Sequence, residues 1–532
     1  MRRITAAGFL ALFVCTSPAS AQTDWRRGAT CYEIFVRSFY DSNGDGIGDL
    51  KGLSQKLDYI NDGTSHGPHS LGARCIWLMP VAESPSYHGY DVSNYYRVEP
   101  DYGTNEDFKK LIAEAHRRGI KVLVDLVLNH MSSEHPFFQE ALHNPASPHR
   151  DWFRWSPTKR VEKNWGQEVW HHSPVRDEYY YGLFWGGMPD LNYETKAVRD
   201  EAKKVARFWL RDMGADGFRL DAIPYLVEEG EQLTHTRGTH AVLREFEAYV
   251  RSVAPNAFTI GEVTYSIDTL LSYYPDQLDA YFAFDVADSI MAAVRKGSAR
   301  GLLPPVLRLQ RAIPANRWSP FLRNHDQTRT MTELSGSVAC ARLAATILLT
   351  LPGLPFVYYG EEIGMTGDKP DPRLRTPMHW ARGSAAGFTR GTPWESLQPD
   401  SATANVEAQN DDAGSLLNLY RRLIHLRVQN PALASGELIP LSTSNDAVAA
   451  YVRRRGDRAV LVVANLGTLS LARLTLSSLE GVLPPGRYTV KNLLEATSAA
   501  PLRIGPDGRI KDYSPLPSLA PLESYLFQLT RR

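Results

Sequence analysis

From residue 31 to about residue 360, short apolar runs alternate with amphipathic stretches. That alternation is the pattern of β/α units wound around a parallel sheet. Eight runs read as strands: CYEIFVRSF (31–39), CIWLMPV (75–81), KVLVDLVLNH (121–130), DGFRLDA (216–222), FTIGEV (258–263), LDAYFAF (278–284), FLRNHD (321–326) and LPFVYYG (354–360). Helices of clear period lie between them. In TNEDFKKLIAEAHRRG (104–119), Thr104 and Asp107 form a capping pair, Phe108, Leu111, Ile112 and Ala115 make one apolar face, and Gly119 ends it. Eight such units predict an α/β fold closed as a (β/α)8 barrel.

Two regions break the alternation. Residues 131–194 show no helical period and hold five of the eleven tryptophans, at 152, 155, 165, 170 and 185. A domain inserted after the third strand is expected there, each Trp being equally suited to a small aromatic core or to stacking on the C–H faces of sugars. From 437 the period becomes two: AVAAYVRRRGDRAVLVVANL (447–466) reads as two strands joined near Gly456, and ESYLFQL (523–529) as another. The expected layout is a barrel in two parts, 22–130 and 195–436, the insertion at 131–194, and a C-terminal β-sandwich at 437–532.

The 532 residues carry 59 Lys and Arg against 59 Asp and Glu. This balance offers no basic face to nucleic acid, and a neutral partner fits best. Residues 1–21 read as an export signal, with Arg2 and Arg3, an apolar run over 4–14, and ASA ending at Ala21. The run is too short to cross a bilayer. The processed chain is therefore expected to be secreted or periplasmic, with no membrane association. Cys15 lies in that signal. Cys31, Cys75 and Cys340 have neither zinc spacing nor a disulfide framework; buried apolar packing is the default, with a Cys31–Cys75 pairing left open.

The stretch GADGFRLDAI (214–223) carries the first candidate chemistry. Strand alternation puts Phe218, Leu220 and Ala222 on one face and Arg219 with Asp221 on the other. Catalytic groups of barrels sit at the C-terminal ends of strands. The acids at such ends are Asp221, Glu262 and Asp326, on the fourth, fifth and seventh runs. Buried, converging carboxylates are costly, so stability alone would not select three. Arg219 would hold Asp221 ionised as a nucleophile, whereas negative neighbours and partial burial would raise Glu262 into the range of a proton donor.

DLVLNH (125–130), MPDLN (188–192), GFRLDA (217–222), GEV (261–263) and NHD (324–326) stand in this order. With them the chain resembles the α-amylase superfamily, glycoside hydrolase family 13, from about Cys31 to the C-terminus, and within it the secreted amylases intermediate between oligo-1,6-glucosidases and neopullulanases. The resemblance implies an α-glucan or malto-oligosaccharide substrate and a retaining double displacement. It makes Asp221 the nucleophile, Glu262 the general acid/base, and Asp326 the acid that binds sugar hydroxyls and distorts the ring. It also implies that His130 and His325 bind hydroxyls, that Tyr90 stacks on the sugar, and that Asp91 and Arg375 pair to close the pocket behind the non-reducing end.

DSNGDGIGDL (41–50) places oxygens at Asp41, Asn43, Asp45 and Asp49 like an EF-hand loop up to its ninth position, but Gly52 stands where the closing glutamate belongs. The resemblance implies a structural Ca2+ here, with Ile47 giving its carbonyl. After Asp221 the chain reads IPYL (223–226) where many α-amylases have Lys-His for a further subsite and a second calcium. IPYL and HPFFQEALHNPASPHRDWF (135–153) are similar to trehalose synthases, while YYYGLFWGGMPDLNY (179–193) is similar to the secreted amylases. Ala222 resembles α-1,4-acting members; α-1,6-cleaving ones often carry valine. Two alternatives stay open: transglycosylation or disaccharide isomerisation, and a non-catalytic amylase-like scaffold, which the complete acid set opposes. No oligomeric state follows from the sequence.

Overall fold

The computed structural model describes residues 24–64 and 67–532. The export signal and Cys15 lie outside the described residues. Eight parallel strands form the barrel: β1 (Cys31–Ile34), β2 (Cys75–Leu78), β3 (Lys121–Leu126), β4 (Gly217–Leu220), β5 (Phe258–Gly261), β6 (Ala280–Phe282), β7 (Trp318–Ser319) and β8 (Phe356–Tyr358). They pair in the order β7-β6-β5-β4-β3-β2-β1-β8. Backbone bonds from the N–H of Leu354 to Trp318 and of Phe356 to Pro320, at 3.1 and 3.0 Å, draw β8 onto β7 and all but close the ring. The expected (β/α)8 barrel is present.

Several apolar runs are longer than their strands. The first turns into a short helix, Val36–Phe39, directly after β1. The seventh strand precedes FLRNHD: Pro320 lacks an N–H and ends the ladder, so residues 321–326 cross the barrel mouth as a loop. Asp326 is therefore carried on a loop beyond β7, a correction to the strand-end position expected for it.

Alternation along the strands sorts two faces. Outward Ile76, Leu78, Val122, Val124, Phe218 and Leu220 join the core shared with the helices. Among those helices is α1 (Asn105–Arg117), whose Thr104 and Asp107 form the reciprocal capping box. Inward Cys31, Cys75, Trp77, Leu123, Phe258, Ile260, Phe282 and Phe356 fill the barrel. At the C-terminal end the same inward positions turn polar, with Glu33, Asp125 and Arg219 all buried. Gly217 lets β4 approach β5, since a Cβ there would lie 1.9 Å from the Phe258 carbonyl oxygen.

Cys31 and Cys75 face each other in register across β1 and β2. They are joined as a disulfide, with Cα atoms 4.4 Å apart. This corrects the default of free buried thiols: both side chains point into the barrel at one level, so they meet. Cys340 is free and half-buried.

The inserted segment contains a helix where no helical period was read: α2 (Pro136–His143). Pro136 begins it, the His135 side chain caps it, and Phe138, Ala141 and Leu142 form its buried face. A three-stranded sheet of Trp155–Ser156, Tyr179–Tyr181 and Trp170–His172 follows. The segment is tied to the barrel by a bridge between His130 and Asp190 and by Asn129 Nδ2 donating to Asp190 Oδ2 at 2.9 Å.

The C-terminal region is a six-stranded antiparallel sheet: β9 (Glu437–Pro440), β10 (Val448–Arg455), β11 (Arg458–Asn465), β12 (Gly486–Asn492), β13 (Leu502–Ile504) and β14 (Glu523–Arg531), in the order β9-β10-β11-β14-β12-β13. Two two-stranded ribbons, 442–443 with 476–477 and 471–472 with 518–519, cover it.

Candidate active site

The site grows from the inward face of β4. Arg219 is 1% exposed, next to last in its strand and on the inward face. Its Nη1 donates to Asp125 Oδ1 on β3 at 2.9 Å and to Asp221 Oδ1 at 2.6 Å. Its Nη2 reaches Glu262 Oε2 at 2.8 Å. One guanidinium thus holds three carboxylates from three adjacent strand ends. Directly after Asp221 the backbone of Ala222 turns left-handed, at φ 48° and ψ 34°, and its N–H donates to Glu262 Oε2 at 3.2 Å. A non-glycine residue in that conformation is a strained one, and strain of this kind concentrates at functional sites.

Above the guanidinium lies a cavity of about 380 Å³ whose wall includes Asp221, Glu262 and Asp326. The three acids converge on this cavity, as expected. Tyr90, His130 and Arg375 line the same cavity. Asp326 lies nearest the opening, with its side chain 45% exposed against 11% for Asp221 and 13% for Glu262.

The electrostatics separate the acids. Burial pushes Glu262 upward, Arg219 opposes, and the negative charges of Asp221 and Asp326 push it up again, leaving it above the usual carboxylate range. For Asp326, desolvation is outweighed by His325, Arg375 and Arg219, and it stays well below that range. Asp125 is pushed up to about 7, by burial first, against the pull of Arg219. His325 has the opposite tendency: burial pulls it down, but Asp326 and Glu33 raise it to about 9. His130 is lowered by burial, and its Nε2 lies 3.1 Å from the Tyr90 carbonyl oxygen. A carboxyl shifted toward keeping its proton, beside a second carboxyl held by the same guanidinium, is a pair suited to protonating a leaving group while attacking the carbon behind it.

One expected pair does not form. Asp91 is buried and bound by Ser84 Oγ at 2.8 Å, with Ser86 as a second donor. Arg375 instead donates to Asp326 Oδ1 at 2.8 Å and lies 3.6 Å from Asp371. Asp371, on the cavity wall, stands beside Arg375 where Asp91 was expected. A short helix, Asp371–Leu374, sets it there, four residues before the arginine.

Sequence reasoning also passed over Asp125 and Trp77. Asp125 opens DLVLNH and shares inward parity with Leu123, a signal that could have found it. Trp77 Nε1 donates to Asp125 Oδ2 at 3.2 Å. The five tryptophans of the insertion divide. Trp152 and Trp170 are buried and Trp155 packs on Phe138, whereas Trp165 and Trp185 are 60% and 53% exposed on the cavity wall. Trp165 sits at the tip of the ribbon formed by 163–164 and 167–168, at φ 48°, with its ring 5.7 Å from both Phe184 and Tyr225.

The loop at 41–50 folds as a ladder of side chain to backbone bonds. Asp41 accepts from the N–H groups of Asn43, Gly44 and Gly46, Asn43 Oδ1 from Asp45, and Asp45 Oδ1 from Ile47. Asp49 is bound by Ser42 and by Gly52 N–H. Gly46 is required at φ 94°, where a Cβ would meet the Thr392 carbonyl at 1.9 Å. Among the described residues no group of three or more His, Cys, Asp or Glu is arranged as a metal cage. The donors are all hard oxygens, and Asp41, Asp45 and Asp49 have no ion-pair partner among the described residues, so the donor chemistry fits a calcium ion.

Comparison with known proteins agrees with this geometry. Residues 33–436 match the family model described as alpha amylase, catalytic domain. The chain is 39% identical to alpha-amylase 3 of Dictyoglomus thermophilum over 84% of this chain and 86% of that protein. It is 36% identical to a trehalose synthase/amylase of Mycolicibacterium smegmatis over 87% of this chain and 88% of that protein. The solved α-amylase of H. orenii superposes with a TM-score of 0.81 at 37% identity, covering 94% of this chain and 99% of that one. An eight-stranded barrel, three carboxylates around one cavity, and relatives of this extent together show that the chain belongs to the α-amylase family of glycoside hydrolases, family 13.

Proposed function

We propose that this glycoside hydrolase cleaves α-1,4-glucosidic bonds of malto-oligosaccharides or starch fragments with retention of configuration. Asp221 attacks the anomeric carbon as the C–O bond to the departing sugar breaks, and Glu262 gives that oxygen its proton. An ester of Asp221 results. Glu262, now ionised, takes a proton from water, whose oxygen attacks the same carbon, breaks the ester and releases an α-anomer. Asp326 and His130 bind hydroxyls of the reacting sugar, while His325, fully buried and off the cavity wall, holds Asp326; Tyr90 offers the sugar a ring face, and Arg375 with Asp371 bounds the pocket behind it.

The observation that carries this reading is the single Arg219 guanidinium bound to both Asp221 and Glu262. It orients both acids and brings the pair close together, as double displacement requires. A chromatogram of products from maltose, maltoheptaose and starch tests it. Glucose and shorter maltodextrins are expected; no turnover of any of them would overturn the reading.

Transfer to a second sugar is the other reading, favoured by the aromatic wall of Trp165, Phe184 and Tyr225. Tyr225 lies three residues beyond Ala222, and its hydroxyl is 3.0 Å from that of Tyr265, three residues beyond Glu262. The wall therefore stands on the side of the acid/base, where a departing or arriving sugar sits. New disaccharides from maltose would mark this activity.

Two further assignments accompany the proposal. The 41–50 loop holds a structural Ca2+ through Asp41, Asn43, Asp45, Asp49 and the Ile47 carbonyl, supported by three carboxylates without a cation among the described residues. The protein acts outside the cytoplasm, supported by the leader pattern over 1–21 and by the Cys31–Cys75 disulfide, since such bonds persist in oxidising compartments.

A further inference from the structure

Glu33 is the inward residue of β1 that no role above absorbs. It is 2% exposed and does not line the substrate cavity. Its Oε1 lies 2.5 Å from His325 Nδ1. The other ring nitrogen of His325, Nε2, is 3.1 Å from Asp326 Oδ2 and 2.6 Å from the Tyr90 hydroxyl. The ring is fully buried, stacked on Tyr90 at 5.6 Å and 14°, with Trp77 at its edge.

A neutral imidazole has one N–H. With a carboxylate near each nitrogen, it would turn a lone pair toward negative charge, or else draw the Tyr90 O–H to that lone pair and take the donor away from Asp125 Oδ2. A doubly protonated ring satisfies both. Its Nε2–H then donates toward Asp326 and the Tyr90 oxygen, which leaves the Tyr90 O–H free to donate to Asp125 Oδ2 at 3.0 Å. Asp125 in turn is bound by Arg219. A chain of directed hydrogen bonds thus runs from Glu33 through His325, Tyr90, Asp125 and Arg219 to Asp221.

We propose that Glu33 is a positioning residue that keeps His325 doubly protonated, fixing the direction of every hydrogen bond between β1 and the acids of the site. It touches no reacting atom and acts through the imidazolium. Charged and titratable groups facing that ring are Glu33 from β1, Tyr90 from the segment after β2, Asp125 from β3, Asp326 on the same loop, and Arg375, whose Nε donates to the His325 carbonyl at 3.1 Å. Arg219 from β4 is one step further. The acids outnumber the cations on the ring's two nitrogens, and Glu33 is the buried one that a substrate cannot displace. The inference rests on the proposed function only for its effect on turnover.

The test is nitrogen NMR of histidine-labelled full-length protein, with kinetics of Glu33→Gln alongside. In the unmodified protein both His325 ring nitrogens are expected to carry protons at pH 8. In Glu33→Gln one proton is lost near neutral pH, kcat falls about tenfold, as for one charge-assisted hydrogen bond, and the alkaline limb of the pH profile moves toward neutral. Glu33→Asp is expected to retain the second proton in part. A His325 in the unmodified protein that is singly protonated at pH 8 overturns the proposal whether or not the variant folds and whatever the enzyme cleaves. An unmoved pH profile in a folded Glu33→Gln overturns it too.

Discussion

Arg219 Nη1 stands 2.6 Å from Asp221 Oδ1, and the same guanidinium also holds Asp125 and Glu262. Lysine offers one ammonium where this arginine uses two nitrogens in a fixed plane. Arg219→Lys is expected to fold and to lose about 100-fold in kcat/KM, the worth of one to two charge-assisted hydrogen bonds. Arg219→Ala leaves Asp125, whose side chain is 0% exposed, buried without its cation, with only Trp77 and Tyr90 still donating to it, and is expected to lose about 3–5 kcal/mol of stability as well. Steady-state kinetics and urea unfolding separate the two variants.

Trp165 is large, exposed and held at positive φ on a ribbon tip, a position that favours asparagine or glycine. Replacing it with alanine removes a stacking face beside the acid/base without touching the core. With maltoheptaose, kcat/KM is expected to fall about 10-fold and transfer products to diminish. With α-glucosyl fluoride, whose leaving group needs no second sugar site, hydrolysis is expected to be unchanged. Equal losses on both substrates would place the residue in the fold instead.

The disulfide closes a loop with a sequence separation of 44 at the end of the barrel opposite the cavity. The double variant Cys31→Ser, Cys75→Ser is expected to lose about 2–4 kcal/mol by urea unfolding, through a less restricted unfolded chain. Its kcat at 25 °C should match the parent. A loss of activity with stability intact would contradict this separation of roles.

Stability should carry the mark of His325. Its folded value of about 9 lies above the ordinary 6.5. The unfolded chain therefore binds fewer protons in that interval, so the contribution is fully present below about 6.5 and lost as pH rises through about 9. Asp326, held well below its ordinary 3.8, contributes above that value and loses its contribution as pH falls. Unfolding free energy is expected to decline from pH 6.5 to 9.5, and the decline to be shallower in His325→Asn.

Calcium should act on the fold and not on the chemistry. Chelation is expected to lower Tm while leaving turnover at 25 °C intact, and Asp41→Asn to weaken the response to added Ca2+. No change of Tm with chelator or with added Ca2+ would remove the metal from the 41–50 loop.

The barrel was legible because alternation and helical period are properties of local sequence. Arg219 and Asp221 could be put on one face from parity alone, and their neighbours follow from strand register, as with Arg219 opposite Asp125. What local pattern does not carry is the partner a side chain meets across the barrel. Asp91 and Arg375 have compatible charges, yet serines take the one and Asp326 and Asp371 the other. Strand lengths were overread at 31–39 and 321–326 because an apolar run reports burial, and loops over a barrel mouth are buried too. The helix Pro136–His143 was missed since its two aromatic residues in succession, Phe137 and Phe138, blur the period. The disulfide became readable only when the register brought Cys31 opposite Cys75.

Mass spectrometry of the enzyme caught between its two steps tests the central claim most directly. Glu262→Gln incubated with α-glucosyl fluoride needs no acid for departure and lacks the base that frees the ester. A hexose adduct on the peptide carrying Asp221 is the predicted result. An adduct on another residue, or steady turnover to a β-anomer with no adduct, would contradict it.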